Sequence, residues 1–411
     1  MRRKPDAAPL TSQVNTPIKV CLHVLRDARY DTRAMREAVS LTEAGFEVKI
    51  LDVVDVPAHP GEEKTRGFCM QHMLVPDWQT ARKSELRFFL KSVRLFLSSC
   101  RQLLLCPADV YHASELTALP ACYIVAKLRR KPLIFEVYDL QFPAPATGVK
   151  FWGKLGGLLD YIQGWMLPRC AGVIATSPLH AEELRKRYHV TDITLVRNVP
   201  LYCRATKNDR LHQHLGLSPK THVVLYQGGL QPGRGLELLI AAAAYLHRDI
   251  VIVMMGQDML GTRSKLEAQI SSQNVADRVK IIPAVPYEEL LQWTASADIG
   301  ITILPPSYSL NVRTCLPNKF FEYLMASLPV LSSPVPAIVE VVKQYDVGCI
   351  IPSLAPKDVG DAINTMLEDQ EALLRMRENT GRAARECCWE EDSVRLISLY
   401  QKTLNDKHVS S

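Results

Sequence analysis

Short apolar runs alternate with amphipathic segments along most of this chain, and the alternation predicts its fold. In the first half, residues 18–25 and 46–54 have the composition of buried strands, and residues 33–44 show helical spacing up to Gly45, a residue type that commonly ends helices. Further strands are predicted at 109–112, 133–137, 172–176 and 193–196, with helices at 116–128 and 179–188. Strands and helices that alternate in this way form a parallel sheet with helices on both faces.

The pattern starts again after residues 198–217, a polar stretch without a periodic apolar face that we interpret as a linker. Strands are predicted at 222–226, 250–254, 279–282 and 299–303, with helices at 236–246, 263–270 and 288–294 and a mostly helical end at 357–404. The sequence therefore predicts an α/β protein of two doubly wound Rossmann-like domains. Because such sheets bind ligands at the carboxyl ends of their strands, we expect the active site in the cleft between the domains.

The predicted domain boundaries follow from these changes of pattern. Residues 1–16 form a flexible tail, 17–200 the N-terminal domain, 201–217 the linker, 218–385 the C-terminal domain and 386–411 a C-terminal helix that crosses back to the N-terminal domain. A chain of 411 residues exceeds what one hydrophobic core usually serves, which agrees with two domains.

Residues 79–105 form a basic amphipathic pattern that allows two interpretations. Apolar side chains share one predicted helical face: Leu86, Phe89, Leu90, Val93, Leu97 and Cys100. Basic side chains are expected on the other side: Lys83, Arg87, Lys91, Arg94 and Arg101. The pattern is typical of a surface helix with a solvated charged face, and also of a helix that lies on an anionic membrane.

Composition and charge narrow the function. The chain is 47% hydrophobic and 22% charged with a net charge of +6, which suits an anionic substrate or a membrane surface but excludes the strongly basic surface of a nucleic-acid-binding protein. The 11 cysteines form no CxxC pair and predict reduced thiols in a cytoplasmic protein. We expect no signal peptide at the charged N-terminus and no transmembrane helix, since no run of 18 uncharged apolar residues occurs.

The segment LPNKFFEYLMASLPVLS at residues 316–332 places an acid, Glu322, inside an otherwise apolar helix that leads into a strand. A carboxylate in such surroundings either is paired within the fold or holds a ligand. The helix start at Pro317 and Asn318 offers unpaired N–H groups and a positive dipole end, which bind anions. A phosphate at the helix start and a carboxylate one turn further on would suit a nucleotide-sugar.

A glycine-rich loop, YQGGLQPGRG at residues 226–235, follows a predicted strand and precedes a predicted helix. Gly228 and Gly229 allow a phosphate to approach the backbone, and Arg234 can donate to two phosphate oxygens. The alternative is a tight turn with Arg234 on the surface. Since no DxD pair occurs, we expect no metal at the diphosphate, whose charge Arg234, Lys319 and the helix start would offset.

In the first domain, His112 and Asp139 are predicted at the ends of strands, where ligands bind, and Glu115 follows His112 closely. Each could act at an acceptor or be structural. The absence of a GxSxG motif argues against acyl transfer by a serine triad.

Together these segments resemble the retaining GT-B glycosyltransferases of family 4, and the similarity covers about residues 18–404. It is carried by DTRAMREAVSLTEAGFEVKILD, ADVYHASELTALPA, GVIATSPLHAEEL, VRNVP, VVLYQGGLQPGRGLELLI and LPNKFFEYLMASLPVLSSPVPAIVEVV. The resemblance implies transfer from a nucleotide-diphosphate sugar to a carbohydrate, lipid-linked or small-molecule acceptor, as in polysaccharide or glycolipid synthesis. It further implies retention of configuration, no metal or other cofactor, a donor site on the second domain and an acceptor site on the first.

The resemblance also assigns residues. Glu322 corresponds to the second acid of the family's E-x7-E pair, Arg234 to its basic residue on the diphosphate, and His112 to a histidine near the reacting sugar. Further donor contacts are implied at Gly228, Gly229, Pro283, Val285, Pro317, Asn318 and Lys319.

Three positions depart from the family pattern. The first acid of the pair is Thr314, the arginine that usually follows the first glycine of the loop is Gly229, and the second histidine of the first domain's His-x-His-Asp pattern is Ser114. Two other functions therefore stay open: a sugar-nucleotide epimerase of the same fold, and a non-catalytic protein that binds sugar nucleotides or acts as a scaffold.

Overall fold

The computed structural model describes residues 17–54, 61–75, 85–140, 157 and 160–409, without the side chains of 85–88 and 407–409. The predicted tail at 1–16 lies outside the described residues. Contacts divide the described residues into two compact units. The first unit joins the residues up to Glu136 with those from Gln401 onward, and the second unit is Val137–Tyr400. The predicted domain boundaries remain a prediction.

The first sheet has eight strands in the order β3-β4-β2-β1-β5-β6-β7-β8. Its strands are β1 (Lys19–Val24), β2 (Glu47–Val54), β3 (Glu62–Thr65), β4 (Phe68–Leu74), β5 (Val110–Ser114), β6 (Leu133–Val137), β7 (Gly172–Ala175) and β8 (Ile193–Leu195). Strand β1 pairs in parallel with β2 and with β5, and β5 pairs in parallel with β6. The predicted alternation of strands and helices is confirmed here, but strands β3 and β4 form an antiparallel pair in a region for which no strand was predicted.

The second sheet has six strands in the order β11-β10-β9-β12-β13-β14. Its strands are β9 (His222–Gln227), β10 (Ile250–Met255), β11 (Val279–Ile282), β12 (Ile299–Thr302), β13 (Val330–Ser332) and β14 (Gly348–Ile350). Neighbouring strands in this sheet pair in parallel, and its core includes Val224, Ile252 and Ile301. The α/β fold of two mostly parallel sheets is as predicted.

Helices connect these strands. They are α1 (Thr32–Glu43), α2 (Glu85–Leu105), α3 (Leu119–Leu128), α4 (Pro178–Tyr188), α5 (Arg210–Leu215), α6 (Leu236–Ala242), α7 (Thr262–Ser272), α8 (Tyr287–Thr294), α9 (Leu310–Thr314), α10 (Asn318–Met325), α11 (Pro336–Tyr345), α12 (Pro356–Glu368), α13 (Gln370–Glu386) and α14 (Trp389–Val409). Helix α5 lies inside the stretch interpreted as an irregular linker, where its last turn ends at Gly216 in the left-handed conformation.

Helix α2 exposes several of the apolar side chains that were predicted to share one face. Its buried side chains are Leu95, Ser99 and Leu103, whereas Leu90 and Leu97 are 59% and 60% exposed. At 100° per residue, Leu90, Val93, Arg94, Leu97 and Arg101 fall on one side of the helix. The predicted separation of apolar and basic faces is therefore wrong in the described part of this helix, because its exposed side carries both.

No helix in the part of the chain that the structure describes combines the length and the apolar character needed to cross a membrane.

Candidate functional site

The glycine-rich loop begins where β9 ends, and its first residue depends on the absence of a side chain. Gly228 has φ of 130°, and a Cβ there would lie 3.0 Å from the Nζ of Lys319. The neighbouring strand comes equally close, since a Cβ on Gly256 would lie 1.8 Å from the carbonyl oxygen of Gly228. A side chain on Gly228 or on Gly256 would meet these neighbours, so both positions require glycine. The absence of side chains lets the loop backbone lie directly against the amino group of Lys319.

The rest of the loop holds Arg234 near the same lysine. With the side-chain amide of Gln231 oriented to satisfy both of its polar atoms, its oxygen accepts from Nε and Nη2 of Arg234 at 2.9 and 3.0 Å. Gly235, with φ of 70°, precedes α6 and packs against Ile303. The arginine is half-buried and fixed by an uncharged partner, so its charge remains available to an anion.

Lys319, in the first turn of α10, is the second cation of this site. Its Nζ lies 3.6 Å from the ring centroid of Tyr226. Desolvation, together with the nearby charge of Arg234, lowers the pKa of Lys319 to about 7. Neither cation forms an ion pair with a carboxylate among the described residues. Two positive side chains that lie close together and form no direct ion pair within the described residues are arranged for an anionic ligand, although the charge of Glu322 also acts on Lys319.

Glu322 lies one turn further along α10 and is held by an amide. Gln227 donates from Nε2 to Oε2 of Glu322 at 2.5 Å, and its Oε1 accepts from the hydroxyl of Thr294 at 2.5 Å. The relay orients the carboxylate at the carboxyl end of β9. The contact of Gln227 with Glu322 was not predicted from the sequence. A neutral amide at the end of an apolar strand forms no recognisable motif apart from its position before the glycines.

Helix α10 is tied to the sheet through its second turn, and its start is uncapped. The hydroxyl of Tyr323 accepts from the backbone N–H of Gln227 at 3.1 Å and lies within hydrogen-bond distance of two carbonyl oxygens in β9 and β12. Pro317 was predicted within the first turn of the helix, but it is the residue before that turn. No side chain caps the helix. The first N–H groups, from Asn318 onward, therefore have no side-chain acceptor.

Other predicted donor residues lie at the end of β11. Pro283 is exposed and Val285 is half-buried, directly after Ile282. The carbonyl oxygen of Ile282 accepts from Gly256 at the end of β10 at 3.2 Å. Since β10 lies between β11 and β9, these residues share one sheet edge with the glycine-rich loop. Their contact with a nucleotide base remains a prediction.

Thr314, at the position of the missing acid, has a structural role here. Its hydroxyl donates to the carbonyl oxygen of Leu310 at 2.9 Å, and its own carbonyl oxygen accepts from the hydroxyl of Ser177 at 2.5 Å. Nearby, the amide of Asn311 donates to Asp139 at 2.8 Å and accepts from the N–H of Leu140 at 3.2 Å. Asp139 lies two residues beyond the end of β6 and is engaged by this amide.

His112 was predicted at the end of a strand, but it lies inside β5, which continues to Ser114. The side chain is fully buried, with Nε2 3.6 Å from Oε2 of Glu136. Arg33 donates from Nε to Glu136 at 2.6 Å and lies 3.1 Å from Glu37. Burial and the charge of Glu136 raise the pKa of Glu37 well above its usual range. These contacts hold His112 within the protein, and its catalytic role remains a prediction.

The same cluster contains side chains of the types that bind metal ions. Ligand atoms of Glu37, His112 and Glu136 all lie within 4.8 Å of one another. The guanidinium group of Arg33, however, already supplies positive charge to both carboxylates. A cation would have to displace it, so the cluster is better explained as a buried ionic network.

Glu115 follows β5 with φ of 76°, an unusual conformation for a residue that is not glycine. Its carboxylate forms an ion pair with Arg26, which also lies 3.6 Å from Asp31. Its predicted role on the acceptor side remains a prediction.

These features define a class of protein: an α/β fold of two mostly parallel sheets, with a glycine-rich loop, two cations and a carboxylate at one strand edge of the second sheet. The family model described as Glycosyltransferase Family 4 matches residues 32–199, and the one described as Glycosyl transferases group 1 matches residues 207–386. The two glycosyltransferase models together cover most of the chain, and its fold is that of GT-B glycosyltransferases.

Similar proteins agree with this assignment. A D-inositol 3-phosphate glycosyltransferase of Corynebacterium glutamicum is 26% identical over 213 residues, which is 50% of this chain and 49% of that protein. Sucrose-phosphate synthase from Thermosynechococcus elongatus has a similar structure, with a TM-score of 0.77 and 15% identity over 95% of this chain and 100% of that chain. HepE of Anabaena, in complex with UDP-glucose, gives a TM-score of 0.66 and 16% identity over 95% of this chain and 100% of that chain.

The sequence matches are partial. The alignment with the Corynebacterium protein spans about half of its length, at 49%. The structural likenesses cover nearly whole chains but at low identity, so they establish the fold and not the substrate.

Proposed function

We propose that this chain transfers a sugar from a nucleotide-diphosphate sugar to an acceptor, with retention of configuration and without a metal ion. The observation that supports the proposal most directly is the position of Lys319 against the backbone of Gly228, with the charge of Arg234 near this lysine and Glu322 one helical turn further along α10. A diphosphate would be bound by the two cations and the start of α10, and the sugar or ribose by the carboxylate.

The chemistry of such a transfer requires stabilisation of the departing nucleoside diphosphate. Negative charge develops on the diphosphate as the bond from the sugar breaks, and fixed positive donors lower the energy of that state. Arg234 is held in place by Gln231, and Lys319 by its position against Tyr226, so both are oriented before the donor binds. These two side chains would supply the charge that a divalent cation supplies in metal-dependent sites.

The test of this proposal is binding of a panel of UDP, GDP, ADP, CMP and dTDP sugars to the full chain, followed by thermal unfolding. We expect one base to raise the midpoint, since a ligand at one hundred times its dissociation constant adds about 2.7 kcal/mol of stability. The Arg234→Ala variant should lose the shift, whereas Arg248→Ala, an exposed arginine elsewhere in the second unit, should keep it. If no sugar nucleotide binds, the proposal fails.

A binding result without transfer would favour the non-catalytic alternative. The panel is therefore followed by a product assay in which released nucleoside diphosphate is measured with and without candidate acceptors. An epimerase would instead convert the donor in the absence of acceptor, since it needs only an acid and a base at the sugar.

We also propose that α2 contacts an anionic membrane, which would bring a lipid-linked acceptor to the first unit. The exposed side of the helix combines leucines that can enter a bilayer with Arg94 and Arg101, which attract anionic headgroups. Leu128 of the adjacent α3 is also exposed, at 69%, and Arg129 and Arg130 follow it. Apolar and basic side chains on one surface are complementary to the interface of an anionic bilayer.

Flotation with liposomes tests the membrane contact. The full chain should float with vesicles that contain phosphatidylglycerol and much less with neutral vesicles. The double variants Leu90→Gln/Leu97→Gln and Arg94→Gln/Arg101→Gln should remain in the soluble fraction. The variant Lys186→Gln/Lys265→Gln, which removes two exposed charges of the second unit, should float like the unmodified protein. Equal flotation of all four proteins would disprove the contact.

A further inference from the structure

A cavity of about 260 Å³ lies in the second unit, away from the glycine-rich loop. Its wall includes the chain segments 204–207 and 326–327, together with Ala295 and Ala297 and with Arg377 from α13. Ala295 and Ala297 precede β12, and Ser327 follows the last turn of α10. The cavity is therefore at the amino-terminal edge of the sheet, whereas the predicted donor residues lie at the carboxyl edge. The two ends of α10, about 12 Å apart at 1.5 Å per residue, separate them.

The lining of the cavity is basic. Arg204, Lys207 and Arg377 contribute three cationic side chains, and no acidic side chain is part of the wall. The only carboxylate closely associated with them is that of Asp298, whose Oδ1 accepts from Nζ of Lys207 at 2.8 Å in the described structure. One acid for three cations leaves the cavity positive, so it attracts anions.

The three cations differ in how many of their N–H groups already donate hydrogen bonds to the protein. Lys207 donates to two carbonyl oxygens and to Asp298, so all three of its N–H groups have protein acceptors. Arg377 donates only from Nη2, to the carbonyl oxygen of Asp298 at 3.2 Å. Arg204 has no hydrogen bond or ion pair with the described residues. The two guanidinium groups therefore retain N–H donors for a ligand.

Ser327 provides an independent observation. Its hydroxyl oxygen is buried and has no hydrogen-bond partner in the described part of the molecule. Its backbone has φ of 54°, a left-handed conformation that glycine would adopt at lower cost. A buried polar group without a partner costs free energy, and so does this conformation. A ligand oxygen that bonds to the hydroxyl would offset the first of these costs.

We propose that this cavity is a second anion site that binds a phosphoryl group, separate from the predicted donor site. Guanidinium groups match the oxygen geometry of phosphate through paired N–H donors, and serine and threonine hydroxyls commonly complete such sites. Thr206 also lines the cavity. Because one water occupies about 30 Å³ in the liquid, the volume accommodates a phosphate together with part of an attached organic group.

The phosphate could belong to a soluble phosphate ester or be free inorganic phosphate, and the two sources share the same recognition chemistry. Binding is therefore measured by titration calorimetry at constant ionic strength with inorganic phosphate in one arm and glycerol 3-phosphate in the other. Tighter binding of glycerol 3-phosphate identifies an ester as the ligand, and equal binding identifies the phosphoryl group alone as the recognised feature.

The donor site also attracts phosphate, so the experiment uses the Arg234→Ala/Lys319→Gln protein, which lacks both donor-site cations. We expect saturable binding to persist in this background. Adding Arg204→Gln should weaken it by at least about tenfold, the scale of losing one hydrogen bond to a charged group. Adding Ser327→Gly should weaken it as well while the melting temperature stays equal or rises, because glycine relieves the left-handed conformation.

Adding Arg248→Gln is the matched control, since it removes an exposed arginine that does not line the cavity. Binding should be unchanged by this substitution. Absence of saturable binding in the donor-site background, or equal weakening by Arg204→Gln and Arg248→Gln, would overturn the proposal. Failure of this experiment leaves the sugar-nucleotide panel unaffected, because the two use different residues.

Discussion

Replacing Glu322 by Gln, or Arg234 by Ala, is expected to lower the rate of sugar transfer by roughly ten- to a thousandfold, the range for losing one contact in the transition state. Arg234 would stabilise the charge on the departing diphosphate, and Glu322 would orient the ribose or the sugar. Gln at position 322 keeps an oxygen that can still accept from Gln227, so this substitution removes the charge with little change of shape.

Both variants should fold normally. Glu322 and Arg234 are half-buried, and the apolar side chains that hold α10 in place, such as Phe320, Phe321 and Leu324, are untouched. The measurement is turnover with the donor that the binding panel identifies, alongside melting temperature. Glu340→Gln and Arg248→Ala change exposed residues of the same types and should retain full activity. Unchanged turnover in both site variants would show that the site assignment is wrong.

The strands of the second sheet were largely predictable because each is a short apolar run with a polar boundary. Strand β11 has the predicted bounds, and β9 and β10 each extend one residue beyond theirs. The same boundaries placed the glycine-rich loop and the α10 start at strand and helix ends. Local composition thus located the candidate donor site, since its backbone geometry depends on glycines and on a helix terminus that sequence patterns reveal.

The position of His112 was not predictable in the same way. Strand β5 runs on through Ala113 and Ser114, which pair with Phe135 and Glu136 of β6. A serine after several apolar residues usually indicates the end of a strand. Here the strand continues because β6 provides pairing partners for Ala113 and Ser114. The partner of the buried Glu136 is Arg33, which is 103 residues away in the chain, and no local pattern connects them.

Helix α2 shows the limit of hydrophobic patterning. Its sequence contains apolar residues on most sides, so periodicity alone does not decide which side packs against the protein. The structure buries Leu95 and Leu103 and leaves Leu90 and Leu97 exposed beside Arg94. Strand β3 was missed for a related reason: the segment 62–65, EEKT, is polar and forms an edge strand, where burial does not constrain composition.

Affinity for the donor is expected to fall as the pH rises through about 7, the pKa to which burial and Arg234 lower Lys319. Below this pH the free protein presents an ammonium group to the diphosphate, and above it the group is neutral. A bound diphosphate favours the charged form and raises the pKa of Lys319 in the complex. Between the two pKa values the dissociation constant should therefore increase up to about tenfold per pH unit, since one proton is taken up on binding.

Calorimetric titration of the donor between pH 5.5 and 9 measures this slope, and Lys319→Met should remove it while weakening binding at low pH. Arg234 stays charged throughout this range and cannot produce the change. Lys343→Met, which replaces an exposed lysine on α11, is the matched control and should keep the slope. A slope that persists in Lys319→Met, or a dissociation constant that is independent of pH in the unmodified protein, would separate Lys319 from the diphosphate and leave Arg234 as the cation that binds it.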